Sequence, residues 1–104
     1  MAAFDAYRRQ DRAAMEELLA PDYRFTSPQD DHIDRAAFME RCFPTADRFV
    51  RHEIVHVVAG RGGSVFVMYE YELRDGAGTY RNVEYVTVRG GRLVETQVFF
   101  GGKV

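Results

Sequence analysis

Apolar and polar positions alternate along residues 80–89. Tyr80, Asn82, Glu84, Val86 and Val88 fall on one face, and Arg81, Val83, Tyr85, Thr87 and Arg89 on the other. Side chains of a β-strand point to opposite faces in turn, so this pattern predicts a strand. A second β-rich run follows, Leu93-Val94 and then Val98-Phe99-Phe100. The Gly90-Gly91 pair between the runs can take the positive φ angles that a tight hairpin demands. A hairpin of this length is not stable alone in water, so the rest of the chain must cover it. Phe49–Ala59 and Val65–Arg74 are two further β-branched and aromatic runs, divided by Gly60-Arg61-Gly62-Gly63. Together the four runs predict an antiparallel meander.

Earlier in the chain the period changes. Phe4, Tyr7, Ala14, Met15, Leu18 and Leu19 recur at helical spacing and predict helix from about Ala2 to Leu19. Asp11 is suited to cap a fresh start after Arg9-Gln10, which would make this two short helices meeting at an angle. Pro21 stops the pattern. Tyr23–Ser27 alternates and predicts a short strand closed by Pro28, and Gln29–His32 follows as a polar loop. Asp34 is a good N-cap for a helix from Arg35 to about Phe43 that buries Phe38, Met39 and Cys42, with Pro44 ending it. Helices followed by a run of strands predict an α+β fold, with helices packed on one face of a curved sheet.

Composition narrows the picture. The chain has 104 residues, the size of one domain over 1–104, and 46% of them are hydrophobic, enough for a core without disulfides or metals. Fourteen basic residues are interspersed with 16 acidic ones for a net charge of −2, which predicts no nucleic-acid partner and no membrane partner. No run approaches the roughly 20 apolar residues of a membrane span. Met1–Asp5 lacks the features of a signal peptide, and the one cysteine, Cys42, has no partner in the chain; both point to a reducing cytoplasm.

With the order of elements in place, the chain resembles the nuclear-transport-factor-2-like superfamily, and within it the SnoaL-like and ketosteroid-isomerase-like proteins. The resemblance covers nearly all of the chain. It rests on AYRRQDRAAMEELLAPDYRFTSP at the front, DRAAF opening the next helix, and RNVEYVTVRGGRLVETQVFFG at the end. It implies a cone-shaped curved antiparallel sheet wrapped around a pocket that the N-terminal helices close, and in many members a homodimer. It also implies where chemistry would sit. Ketosteroid isomerases keep an Asp general base just before the proline closing the first strand, where Ser27 stands here. Their oxyanion-binding acid on the penultimate strand matches Glu84, and their tyrosine donor would fall near Ala3. With one of three roles matched, steroid isomerisation is not expected.

His52-Glu53-Ile54-Val55-His56 satisfies H-E-x-x-H, the zinc-protease signature. That chemistry needs both imidazoles on one face of a helix. Val50, Ile54, Val55, Val57 and Val58 instead predict a strand, in which residues four apart share a face but lie about 13 Å apart. No histidine follows His56 to supply a further ligand. No metal site is expected.

The remaining candidates have two readings each. Glu84 either faces the pocket, where desolvation raises its pKa and suits it to proton transfer, or faces solvent beside Arg81 or Arg92. Tyr69 and Tyr71 either line the pocket with phenol donors or belong to the core or a dimer surface. Asp30, Asp31 and His32 are a solvated, turn-capping loop or an acidic cluster at the pocket mouth. Cys42 reads as a small buried hydrophobe.

The expectation is therefore a pocket for a small hydrophobic ligand, with Glu84 as the catalytic residue and Tyr69, Tyr71, Phe25, Ser27, Asn82 and Val86 as ligand-binding residues. Any reaction would be cofactor-independent acid–base chemistry: isomerisation, cyclisation or dehydration. Phe66, Met68, Val83, Tyr85 and Phe99 on the opposite face are too apolar to leave in water, which predicts a homodimer. The alternative is a non-catalytic dimerisation or interaction module, and the sequence leaves open whether the chain is an enzyme.

Overall fold

A computed structural model describes all 104 residues as three short helices packed on a curved, unclosed six-stranded sheet. Helix α1 (Ala2–Arg9) buries Phe4 and Ala6 and ends at Gln10, whose φ of 55° is left-handed. Asp11 caps α2 (Arg12–Leu18), accepting from the Ala14 amide at 3.1 Å, so the helical run is two helices meeting at an angle. No helix is long and apolar enough to cross a membrane.

Strand β1 (Leu19–Ser27) begins earlier than the sequence pattern suggests and contains Pro21. The proline is tolerated because β1 pairs with its neighbour at Leu19 and then not again until Arg24, so Pro21 has no ladder bond to lose. The expected loop at Gln29–His32 is mostly strand: β2 (Asp30–Asp34) pairs antiparallel with β1. An edge strand has one side in water, so it accepts the charged residues that argued for a loop. Asp34 caps α3 (Arg35–Arg41), accepting from the Ala37 amide at 2.9 Å. That helix is shorter than expected, because Phe43–Arg48 tightens into a 3-10 segment with Pro44 in its first turn.

The meander is as expected: β3 (Phe49–Ala59), β4 (Ser64–Leu73), β5 (Thr79–Arg89) and β6 (Arg92–Lys103) pair antiparallel in sequence order. Gly90 and Gly91, at φ 60° and 77°, make the β5–β6 turn. The sequence did not anticipate that β1 joins the far edge of the meander in parallel to β6, giving the order β2-β1-β6-β5-β4-β3. Two apolar clusters result. Met15, Leu19, Tyr23, Phe38, Met39 and Phe43 pack where the helices meet β1, and Phe4, Val67 and Tyr69 pack where α1 crosses the meander. A cavity lined by residues of both clusters lies between them.

Candidate functional site

Register across the meander decides which side chains meet. Tyr69 on β4 stands opposite Asn82 on β5, Tyr71 opposite Tyr80, and Glu84 between Val67 on β4 and Val98 on β6. Asn82, Glu84, Tyr69 and Tyr71 all point to the helix-covered side, where they line a cavity of about 410 Å³. Ala3, Phe4 and Tyr7 of α1 close it from above, and Phe38, Cys42, Thr45, Arg48 and Phe49 form another side. The mixture of aromatic walls and a few converging polar groups is what a site for a small organic molecule requires.

The polar groups form a directed chain. The Tyr71 hydroxyl donates to Asn82 Oδ1 at 3.3 Å, and Asn82 Nδ2 donates to the Tyr69 hydroxyl at 3.2 Å. Tyr69 therefore accepts from Asn82 and keeps its own proton free to donate. Burial, with the Glu84 charge adding to it, holds the Tyr69 pKa far above its ordinary value, so the hydroxyl stays protonated.

Glu84 is half-buried and lines the cavity. Protein packed around its carboxyl leaves it little water, and this burial raises its pKa from 4.5 to about 7. The Tyr69 hydroxyl lies close enough to offset part of that rise, although its hydrogen bond within 3.5 Å is with Asn82. No arginine or lysine charge contributes to the shift. Arg81 is instead committed to Glu70 on the outer face, at 2.8 Å.

The structure brings Glu84, Tyr69, Tyr71, Phe25, Ser27 and Asn82 to this one cavity. Val86 is the exception and is a correction to the sequence-based expectation: it is 2% exposed and does not line the cavity. It shares the Glu84 face but stands between Val65 and Thr96, where side chains close over it. The acidic cluster divides. Asp30 lines the cavity beside Arg41 at 3.7 Å, whereas Asp31 and His32 pair with each other at 2.6 Å on the surface. Cys42 is half-buried against Asp30, and burial pushes its thiol up to about 11, which rules it out as a thiolate nucleophile.

Tyr7 and His52 are among the cavity residues that the sequence reading passed over. Tyr7, read as a helix core position, hydrogen-bonds Thr45 Oγ1 at 2.7 Å, and burial raises its pKa to about 12. His52, set aside with the H-E-x-x-H coincidence, also lines the cavity. Its partner in the motif does not. The β3 register shifts between Ile54 and His56, so His52 stands opposite Tyr71 while His56 stands opposite Met68. Tyr71 and Met68 lie on opposite faces of β4. A β-bulge therefore turns the two imidazoles to opposite sides of the sheet, where the sequence analysis had placed them on one face. No group of three or more His, Cys, Asp or Glu side chains is arranged to hold a metal ion.

The comparisons with known proteins agree with this architecture. No curated protein matches the sequence. Among solved structures, a protein from Kribbella flavida superposes with a TM-score of 0.83 at 19% identity, over 95% of this chain and 80% of that one. A candidate ketosteroid isomerase from the same organism gives 0.77 at 20% identity, over 99% and 75%. A candidate polyketide cyclase from Sinorhizobium meliloti gives 0.76 at 19% identity, over 94% and 90%. At such identities the likeness carries the nuclear-transport-factor-2-like fold and no particular chemistry. The model of the SnoaL-like domain matches residues 2–96, nearly the whole sheet and all three helices, and the chain belongs to that family.

Proposed function

We propose that this chain binds a small, largely apolar organic molecule and carries out cofactor-independent acid–base chemistry on it, with Glu84 as the proton carrier. The observation that carries this reading is the Glu84 carboxyl: unpaired with any cation, inside an aromatic cavity, with its pKa raised to about 7. A group that titrates near neutral pH both takes and returns a proton efficiently. For a ketone substrate, the Glu84 carboxylate would remove a proton from the carbon beside the carbonyl. The Tyr69 hydroxyl, polarised by Asn82, would donate to the oxygen as negative charge develops there. The proton held by Glu84 then returns to another carbon, which is isomerisation, or helps a hydroxyl leave as water, which is dehydration. Attack of the same enolate on a second carbonyl would be cyclisation. Ser27 stands by the cavity as a neutral polar contact and has no activating base.

The competing reading, an interaction module, draws on the opposite sheet face. Val58 is 58% exposed there near the end of β3, and Phe66 and Phe99 are 44% and 55% exposed. Phe66 packs against Tyr85, the two rings tilted with centroids 4.8 Å apart. We read this face as a homodimer contact that leaves the cavity of each protomer free. A cytoplasmic setting fits the single free Cys42.

The deciding experiment is proton exchange on 2-tetralone, a bicyclic ketone with acidic protons beside its carbonyl, followed by NMR in deuterated buffer. The wild-type protein should accelerate the exchange and Glu84→Gln should not. Equal acceleration by both would remove Glu84 from the mechanism, and no binding or exchange at all would leave the interaction module ahead.

A further inference from the structure

His52 is the one imidazole in the cavity wall, and the proton-transfer reading above does not use it. Its ring is held by four aromatic neighbours: stacked on Phe4 with centroids 5.3 Å apart, and 5.0, 5.2 and 5.8 Å from Tyr69, Phe49 and Tyr7. Its backbone carbonyl accepts from Arg8 Nη1 at 3.1 Å, which ties this point of β3 to α1. The bulge between Ile54 and His56 fixes which way the strand turns here. The ring is therefore placed by backbone, helix and aromatic contacts together.

Its protonation state follows from the same surroundings. The groups around it are Arg8 and Tyr7 from α1 and Tyr69 and Tyr71 from β4, and none of them is an anion near neutral pH. Burial, reinforced by the Arg8 charge, lowers the His52 pKa to about 4. The ring is neutral under ordinary conditions and carries a single N–H. Nδ1 is buried with no hydrogen-bond partner. Placing the proton there would bury a donor with nothing to receive it, a costlier arrangement than an idle lone pair. The proton accordingly sits on Nε2, the ring nitrogen that is not sealed off in this way.

We propose that His52 is a ligand-orienting residue that donates its Nε2 proton to a neutral carbonyl oxygen on a planar aromatic ligand lodged among Phe4, Phe49 and Tyr69. The assignment rests on reading the cavity as an organic-ligand pocket. It adds a second polar anchor on β3, apart from the Asn82–Glu84 anchor on β5, so that a flat molecule is fixed in orientation as well as depth. A neutral donor among aromatic rings suits a ketone better than a carboxylate, whose charge it does nothing to balance.

Two near-isosteric probes test this: 2-acetylnaphthalene and 2-ethylnaphthalene, which differ by the carbonyl oxygen. Binding is followed by quenching of tyrosine fluorescence at about pH 9, where Glu84 is ionised and no longer a donor. Wild-type protein should prefer the ketone by about fivefold, the worth of one net hydrogen bond. His52→Phe keeps the aromatic packing and should reduce that preference to what the Tyr69 hydroxyl supplies, while still binding 2-ethylnaphthalene. A preference unchanged in His52→Phe overturns the proposal and leaves the pocket reading intact. Failure of wild-type protein to bind either probe overturns both. Nitrogen-15 NMR of labelled histidine reads the same site without a mutation. The His52 pattern should be that of the Nε2–H tautomer, and the ketone should move its Nε2 resonance more than Nδ1. A charged ring, or tighter binding of 2-naphthoate than of the ketone, would refute the neutral-donor assignment.

Discussion

Glu84 and His52 titrate in overlapping ranges with opposite effects on stability, and Glu84→Gln separates them. For Glu84 the folded pKa lies above the unfolded one, about 7 against 4.5. Its contribution is fully present below pH 4.5 and is lost as pH rises through 7, because the unfolded chain gives up the proton first. For His52 the folded pKa lies below the unfolded one, about 4 against 6.5. Its contribution is fully present above 6.5 and is lost as pH falls through 4. Each shift corresponds to about 3 kcal/mol over its full window, at about 1.4 kcal/mol per pH unit, with water in the cavity reducing both. In the shared range the two slopes cancel. The part of the wild-type profile owed to this cavity is therefore flat between about pH 4.5 and 6.5.

Glu84→Gln keeps the shape of the side chain and removes its titration. Relative to wild type it should be near neutral at pH 4.5 and become progressively more stable up to pH 7. The gain approaches about 3 kcal/mol, or roughly 10–20 °C in Tm for a domain of this size. His52→Phe should show the mirror image, with its advantage over wild type growing as pH falls from 6.5 toward 4. Urea unfolding followed by circular dichroism at half-unit pH steps measures both differences, and all other titrations cancel between variant and parent. A Glu84→Gln difference that stays constant across this range would mean that Glu84 is solvated or ion-paired, and would refute the proton-carrier reading with it. Carbon-13 NMR titration of the Glu84 carboxyl gives the pKa directly.

Two further predictions follow from the faces of the sheet. Because the bulge puts His52 inside and His56 outside, the pair should not chelate zinc; tight one-to-one binding by calorimetry, lost in both His52→Ala and His56→Ala, would refute this. The apolar outer face should pair two chains, so light scattering at micromolar concentration should give twice the 12.0 kDa chain mass. Phe66→Lys, placing a charge in that face, should shift the protein to monomer without closing the cavity, and a wild-type monomer would refute the dimer.

Much of this fold could be read from local pattern. The Gly90-Gly91 turn, the Asp11 and Asp34 caps and the alternation from Tyr80 to Arg89 each need only a few neighbouring residues, and each is found in the structure. What local pattern hides is non-local pairing. Nothing in Leu19–Ser27 reveals that it will lie parallel to β6, roughly 70 residues later, and only that neighbour makes sense of Pro21 within a strand. The edge strand β2 is hidden for the converse reason: its exposed charges look like a loop until β1 is there to pair with it. At the site, a shared face proved insufficient to place Val86. Alternation reports which side of the sheet a residue takes, while the tapering distance to the helices decides whether it meets space or other side chains.

The bulges of β3 show how far such a difference reaches. The strand shifts register between Phe49 and Arg51 and again between Ile54 and His56. Each extra residue reverses the parity that simple alternation would assign downstream. Counting by twos from His52 puts Ile54 and His56 on its face; the structure keeps Ile54 there, opposite Tyr69, and sends His56 to the other side. The same reversal sets Val58 opposite Phe66 on the outer face. One inserted residue thus lets a single strand contribute an imidazole to the cavity and an apolar side chain to the exposed face. The H-E-x-x-H sequence is a by-product of that arrangement. Its spacing would bring two ligands together on a helix, separate them on a regular strand, and on this bulged strand divides them between the two faces of the sheet.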